Sequence, residues 1–283
     1  MNLLQSVSWK MPLAGGEAEA VLYGAEQDLV EPIFRRLSQE ALRLQRIFNF
    51  FDVHSELSQL NKERTIEASP ELKEVLSFAL PLCALSQGGY DITHGKNFLR
   101  RKRGETLLPL ACSFRDIALK GNVVELLHPD AFVDLGSIAK GYIVDRLCLL
   151  LQDEGIESAL VDVRGDMRIF GGETEILEIA HPRKGKGILP FRFSQKAVAT
   201  SGDYRQFSGS YDKSHLLGHH DFSSVTILAE TAMEADALAT CAFVLERSQS
   251  IVFLEQRGNP AVLIGARGDI LVMNGFEKLE VPS

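Results

Sequence analysis

The longest regular hydrophobic pattern in the chain predicts a helix over residues 29–48. Apolar residues recur there at steps of three and four, the spacing that places them on one face of an α-helix. Pro32 stands near the start, where a helix tolerates proline. A second helix is predicted from Ser69-Pro70, a capping serine followed by proline at the first helical position, to a stop at Gly88-Gly89.

Strand patterns follow in blocks separated by helical ones. Short apolar and β-branched runs bounded by glycine turns predict strands at 18–24, 158–163, 167–170, 174–180, 190–199, 224–229, 261–265 and 269–273. Further helices are predicted at 137–152 and 232–246. Blocks of helices and strands, rather than regular alternation, favour an α+β fold.

Length and composition describe an ordinary globular protein. The chain has 283 residues, of which 45% are hydrophobic and 24% charged. Because single cores stop growing at roughly 250–300 residues, we expect one domain over residues 1–283, either undivided or built of two tightly packed lobes. No oligomeric state is predicted.

The charge distribution argues against nucleic acid as a partner. The net charge is −8, and basic residues are scattered apart from Arg100-Arg101-Lys102-Arg103. We interpret this run as a solvated loop, with a phosphate or partner contact as the alternative. The four cysteines have no paired spacing and are expected to be free thiols.

No segment predicts a membrane span or a leader. No stretch approaches the roughly 20 apolar residues that a spanning helix needs, and residues 1–10 lack a basic cluster followed by an apolar run. The sequence as it stands predicts a cytoplasmic protein, and a periplasmic one if a leader has been removed.

The sharpest candidate for chemistry is the helix predicted at 232–246. Thr231 and Glu234 form the pattern of a capping box, which places a helix start there. Asp236 and Thr240 then stand four residues apart on one helix face. A carboxylate and a hydroxyl so placed suit Mg²⁺, and a buried Asp–Thr hydrogen bond for packing is the alternative.

A second candidate is the strand-to-helix turn that runs from Asp134 through Gly136 to Lys140. Backbone N–H groups at a helix start attract anions, and Lys140 adds a cation that can reach a phosphate. The segment has neither GxGxxG nor Walker spacing. An ordinary strand-to-helix turn is the alternative.

A third segment, Thr200-Ser201-Gly202 followed by Ser214-His215, suggests a hydrolytic triad only superficially. It lacks a GxSxG elbow, and a triad is defined by geometry rather than by proximity in sequence. We therefore predict a tight turn that exposes backbone N–H groups. For His215 the residues leave two roles open, hydrogen-bonding partner and general base.

Taken in order, five segments of this chain resemble the ApbE family, the FAD:protein FMN transferases. They are Phe50-Phe-Asp-Val-His-Ser-Glu-Leu-Ser-Gln-Leu-Asn61, Gly88-Gly-Tyr-Asp-Ile-Thr93, Asp134-Leu-Gly-Ser-Ile-Ala-Lys-Gly-Tyr142, Ala197-Val-Ala-Thr-Ser-Gly-Asp-Tyr204 and Thr231-Ala-Met-Glu-Ala-Asp-Ala-Leu-Ala-Thr240. The resemblance covers nearly the whole chain. It implies a T-fold-like α+β architecture of mixed, largely antiparallel sheets packed with helices.

The resemblance also implies a Mg²⁺-dependent transferase that attaches FMN from FAD, through a phosphoester, to a Ser or Thr of an acceptor flavoprotein and releases AMP. It implies that Asp236, Thr240 and the backbone carbonyl of Ala139 hold Mg²⁺, with Ser137 close by. The FAD pocket it implies is lined by Met11, Phe51, Gly89, Tyr90, Asp91, Asp134, Lys140 and Leu217. Asp236 and His215 are the catalytic residues in this interpretation, with His215 taking the hydroxyl proton.

Departures from the family pattern leave two alternatives open. The loop after His215 reads Leu216-Leu-Gly-His-His-Asp-Phe222, and Arg164 stands where the family has glycine. The alternatives are an FAD pyrophosphatase, which forms FMN and AMP with water, and an FAD-binding protein without turnover.

Overall fold

A computed structural model describes residues 6–27, 30–183, 186–203, 217–219 and 221–281. The strands in chain order are β1 Ser6–Leu13, β2 Gly16–Tyr23, β3 Thr65–Glu67, β4 Ile117–Lys120, β5 Val123–Leu126, β6 Ala159–Val163, β7 Asp166–Phe170, β8 Glu175–Ala180, β9 Gly187–Phe193, β10 Ala197–Gly202, β11 Phe222–Ala229, β12 Ala261–Gly265 and β13 Ile270–Met273. The α-helices are α1 Glu31–Phe48, α2 Glu56–Glu63, α3 Pro70–Leu85, α4 Gly95–Lys102, α5 Ala139–Asp153, α6 Ala232–Val244 and α7 Arg247–Arg257.

The centre of the fold is an eight-stranded sheet in the order β1-β2-β6-β7-β10-β11-β12-β13. Every neighbouring pair in it is antiparallel. A three-stranded sheet (β3-β5-β4) and a two-stranded ribbon (β8-β9) accompany it. The predicted α+β class with largely antiparallel sheets is therefore confirmed.

Both faces of the sheet are covered in its middle. Ala199 and Ile227 lie in the main core with residues of α5 and α6, whereas Val198 and Leu228 lie in a second core with Phe191 of the β8-β9 ribbon. Because both faces are buried, all eight residues of β11 are buried. Such a strand loses the alternation of polar and apolar residues that marks a strand with one face in water.

Three local predictions were wrong. The single strand predicted at 190–199 is two strands, β9 and β10, with Gln195 in the left-handed region between them (φ 48°). Thr200-Ser201-Gly202 is not a turn but the end of β10. The basic run is not in a loop: its first three residues form the last turn of α4, and Arg103 is the C-cap of that helix. The negative end of the helix dipole stabilises positive charge at this position.

Helices α5 and α6 approach each other unusually closely at Gly141. A Cβ atom added to Gly141 would lie 2.1 Å from the carbonyl oxygen of Ala232. Only glycine allows this contact, because any side chain would overlap the backbone of the partner helix. The contact brings the start of α5, with Ala139 and Lys140, against the first turns of α6.

Arg164, which stands where the family has glycine, lies in the hairpin turn between β6 and β7. Arg164 adopts the left-handed region (φ 59°), and its guanidinium donates to the carbonyl oxygen of Ala14 at 2.6 Å. The next residue, Gly165, donates its N–H to the Asp162 carboxylate at 2.6 Å. The Arg164 bond ties the turn to the β1-β2 hairpin, and β7 begins directly after the turn, at Asp166.

Candidate active site

Asp236 and Thr240 lie on one face of α6, as predicted, and both are buried. The Thr231 hydroxyl accepts the Glu234 N–H at 3.2 Å and so caps the helix, while the Glu234 carboxylate accepts from Arg257. The hydroxyls of Thr240 and Ser201 are 2.7 Å apart. The hydroxyl of Thr240 therefore bonds to Ser201 and not to Asp236, which was the predicted packing alternative.

Asp236 instead meets Lys140 of α5. The Lys140 ammonium donates to both oxygens of Asp236, at 2.9 and 2.8 Å, and the N–H of Gly141 donates to Oδ2 at 3.2 Å. A second carboxylate, Asp166 at the start of β7, lies 2.8 Å from the same ammonium. Three elements distant in sequence therefore bring one cation between two buried carboxylates.

The electrostatics of this cluster follow from burial and charge. Burial, followed by the negative charge of Asp236, raises the pKa of Asp166 well above its usual range, although Lys140 opposes the shift. Burial alone disfavours the Lys140 ammonium, but the two carboxylates outweigh it and raise the pKa of Lys140. Lys140 is therefore charged at neutral pH.

The turn before α5 is shaped by Asp134, whose Oδ1 accepts the Gly136 N–H at 2.9 Å. Burial raises the pKa of this carboxyl. Helix α5 begins at Ala139 without a side-chain cap. Its early Gly141 N–H points at Asp236, so the start of the helix stabilises negative charge at the carboxylate of α6.

The segment Gly89-Tyr90-Asp91 joins the same region through Tyr90. The buried Tyr90 hydroxyl lies 2.7 Å from the Ser137 hydroxyl in the turn before α5. Asp91 has structural bonds instead: Oδ1 accepts the N–H and hydroxyl of Thr93, and Oδ2 accepts the Phe114 N–H. Tyr90 therefore contacts the turn that precedes α5, whereas the carboxylate of Asp91 stabilises its own loop and bonds the backbone at Phe114.

The other predicted pocket residues lie on other segments of the chain or outside the described residues. Phe51 is 57% exposed, and the Lys102 ammonium lies 4.0 Å from its ring centroid. Met11 is half-buried on β1, and Leu217 is half-buried in the short described segment 217–219. His215 lies outside the described residues. The roles assigned to these four residues stay predictions.

Sequence reasoning missed Asp145, which positions α6. Its carboxylate accepts the N–H groups of Ala232 and Met233, at 2.9 and 2.8 Å, and a bond from Arg168 at 2.7 Å. It therefore satisfies the open N–H groups at the start of the helix that carries Asp236. The sequence does contain a signal for this role: Asp145 is an acidic residue within the otherwise apolar buried pattern of α5.

Replacing Asp145 by Ala is expected to lower the free energy of unfolding by about 3 kcal/mol, because it leaves two buried N–H groups and the Arg168 charge without their acceptor. Urea unfolding measures this. Asp153→Ala, at the exposed end of the same helix, is the control and should change stability by less than about 0.5 kcal/mol. Equal midpoints for the two variants would contradict the role of Asp145.

The donor set fits a small, hard divalent cation. Asp236 and Thr240 supply carboxylate and hydroxyl oxygens, and the buried Oδ2 of Asp166 has no hydrogen-bond partner among the described residues. In the part of the chain that the structure describes, no three His, Cys, Asp or Glu side chains form a metal cluster. A metal here would therefore need hydroxyl or backbone oxygens as well as carboxylates, which is the set predicted with Ala139.

Fold and site together define an α+β protein in which two crossing helices present a buried carboxylate, a hydroxyl and a lysine. The ApbE family profile matches residues 15–264. The FAD:protein FMN transferase of Haemophilus influenzae is 30% identical over 78% of this chain and 73% of its own length. That of Vibrio cholerae is 27% identical over 74% of this chain and 72% of its own.

Solved structures show the same fold. Flavin transferase ApbE from Vibrio cholerae superposes with a TM-score of 0.81 at 23% identity, covering 98% of this chain and 99% of that one. The ApbE protein of Thermotoga maritima gives 0.85 at 22% identity, covering 98% and 100%. The chain belongs to the ApbE family, which confirms the predicted resemblance. Among the described residues, no helix is both long and apolar enough to span a membrane.

Proposed function

We propose that this protein is a Mg²⁺-dependent FAD:protein FMN transferase that moves FMN from FAD to a Ser or Thr hydroxyl of an acceptor protein and releases AMP. The observation that carries the proposal is the meeting of Asp236, Thr240 and Lys140 where α5 and α6 cross. The names of the relatives agree with the transferase class.

Asp236, Thr240 and the carbonyl of Ala139 are the proposed ligands of Mg²⁺. When bound, Mg²⁺ would neutralise charge on the FAD pyrophosphate. Two contacts orient the proposed ligands: the Gly141 N–H donates to Asp236, and the hydroxyls of Ser201 and Thr240 are 2.7 Å apart. Such contacts limit the rotation of both side chains before a metal binds.

Lys140 is the proposed phosphate-binding cation. It is charged, it stands in the first turn of α5, and its long side chain can turn from the carboxylates towards an anion. Tyr90 and Ser137 present a hydroxyl pair beside it. In the proposed reaction, the acceptor oxygen forms a bond to the FMN phosphorus, the bond to the AMP oxygen breaks, and His215 takes the hydroxyl proton.

Phe51 is the proposed aromatic wall for FAD. More than half of its surface is exposed although three neighbouring phenylalanines, Phe50, Phe98 and Phe132, form an aromatic cluster behind it. An exposed ring supported by half-buried ones suits stacking on a planar ligand. Lys102 covers this ring in the present structure.

Incubation with FAD, Mg²⁺ and a protein that carries a flavinylation site tests the proposal. The expected result is protein-bound flavin in the acceptor together with an equal amount of AMP. AMP with free FMN and an unmodified acceptor would instead establish an FAD pyrophosphatase. Bound FAD without AMP would leave only an FAD-binding protein.

A further inference from the structure

Asp166 and Asp236 converge on a single cation. The two acids, on β7 and α6, both lie 2.8 Å from the ammonium of Lys140, and each is only 3% exposed. Two carboxyl groups that converge on one point from different elements form the kind of oxygen ligand set that binds a divalent cation in proteins.

Asp166 and Asp236 contact the ammonium differently. The Oδ2 of Asp166 forms an ion pair with Lys140 at 2.8 Å, but this approach lacks the geometry of a hydrogen bond. The ammonium directs its hydrogen bonds at the two oxygens of Asp236. Among the described residues, the Oδ2 of Asp166 therefore keeps its capacity to accept from a further cation, and carboxylate oxygens are ligands that Mg²⁺ prefers.

We propose that Asp166 and Asp236 bind a divalent cation as a pair, and that the ammonium of Lys140 holds this place in the metal-free protein. Lys140 then leaves the carboxylates when the cation binds. Its side chain is long and a quarter exposed, so its charged end can move away from the carboxylates towards solvent. Asp166 thereby becomes a further residue of the metal site.

This exchange couples two binding events. The inference rests on the proposed function, because it takes Asp236 as the metal ligand and Lys140 as the phosphate-binding residue. Metal binding frees Lys140 for an anion, and an anion that draws Lys140 away removes the competitor of the metal. By linkage, each ligand therefore raises the affinity for the other by the same factor.

The reactivity of Lys140 reports the exchange directly. Acetic anhydride labels free amines, and mass spectrometry of the peptides measures the labelling rate of each lysine. Adding Mg²⁺ alone, without FAD, is expected to raise the labelling rate of Lys140 by about tenfold, because charge-assisted bonds to Asp236 are lost. Lys196, in an exposed pair with Glu230, is the internal control and should not change.

Three variants separate this inference from the proposed function. Binding of Mn²⁺, followed by electron paramagnetic resonance, should be lost in Asp236→Asn, which tests the metal site itself. Asp166→Asn is expected to weaken Mn²⁺ binding by about tenfold to a hundredfold. Lys140→Met is expected to tighten it by about tenfold, since the competing charge is gone.

The outcomes are distinguishable. If Asp236→Asn abolishes Mn²⁺ binding while Mg²⁺ leaves Lys140 labelling unchanged or lowers it, the metal site stands and the exchange is wrong. Unchanged Mn²⁺ affinity in Asp166→Asn overturns the carboxylate pair. If Asp236→Asn binds Mn²⁺ as the parent protein does, both the inference and the proposed metal site fail.

Discussion

Replacing Asp236 by Asn is expected to slow AMP release from FAD by about a thousandfold or more, which corresponds to roughly 4 kcal/mol of transition-state stabilisation. The substitution removes the negative charge of a proposed Mg²⁺ ligand. It keeps the shape and an acceptor oxygen for the Gly141 N–H, which donates to Asp236 in this structure. The loss therefore belongs to the chemistry rather than to the fold.

Unfolding curves and the rate of AMP release, measured on the same preparations, check this prediction. Glu234→Gln is the matched control, because it removes one negative charge from the same helix, where the Glu234 carboxylate is bonded only to Arg257 in the described contacts. It should retain the parent rate. If Asp236→Asn kept more than about a tenth of the rate, Asp236 would be excluded as the residue that holds the metal.

Replacing Gly141 by Ala is expected to lower the free energy of unfolding by about 3 kcal/mol or more. Two effects oppose each other. Alanine favours a helix over glycine by about 1 kcal/mol, but its Cβ would lie 2.1 Å from the Ala232 carbonyl oxygen and 2.7 Å from the Met233 nitrogen. These are backbone atoms of α6, so relief requires the two helices to separate, and the clash prevails.

Urea unfolding of Gly141→Ala against Gly172→Ala tests this contact. A Cβ at Gly172 meets nothing within 4 Å, so the control should differ little from the parent protein. Separation of the helices would also move Lys140 from Asp236, so Mn²⁺ binding should change in any folded Gly141→Ala protein. A midpoint equal to that of the control would show that the crossing tolerates a methyl group.

Local pattern predicted the regular elements well where one face is buried. The three- and four-residue spacing before Phe48 gave α1, and the Ser69-Pro70 pair gave the start of α3. Elements were missed where the local signal is weak. Helix α2 has only eight residues, and α7 follows α6 after two residues without a side-chain cap.

The strand errors have a topological cause. Residues 190–199 were predicted as one strand, but Phe193 belongs to the ribbon and Ala197 to the central sheet. Periodicity within this segment carries no information about which sheet each part joins. Pairing partners decide that, and they lie far along the chain.

For the candidate site, the motifs alone identify the family, and local pattern alone predicts the shared face of Asp236 and Thr240, because a helix start and a four-residue spacing are local properties. The bond of Lys140 to Asp236, across 96 positions, and the capping of α6 by Asp145 come from the folded arrangement of the chain. This arrangement also places Asp166 opposite Asp236. These contacts depend on the strand order and on the close approach of α5 and α6 at Gly141. Contacts between residues far apart in the chain produce no regular spacing in the sequence, so local pattern cannot predict them.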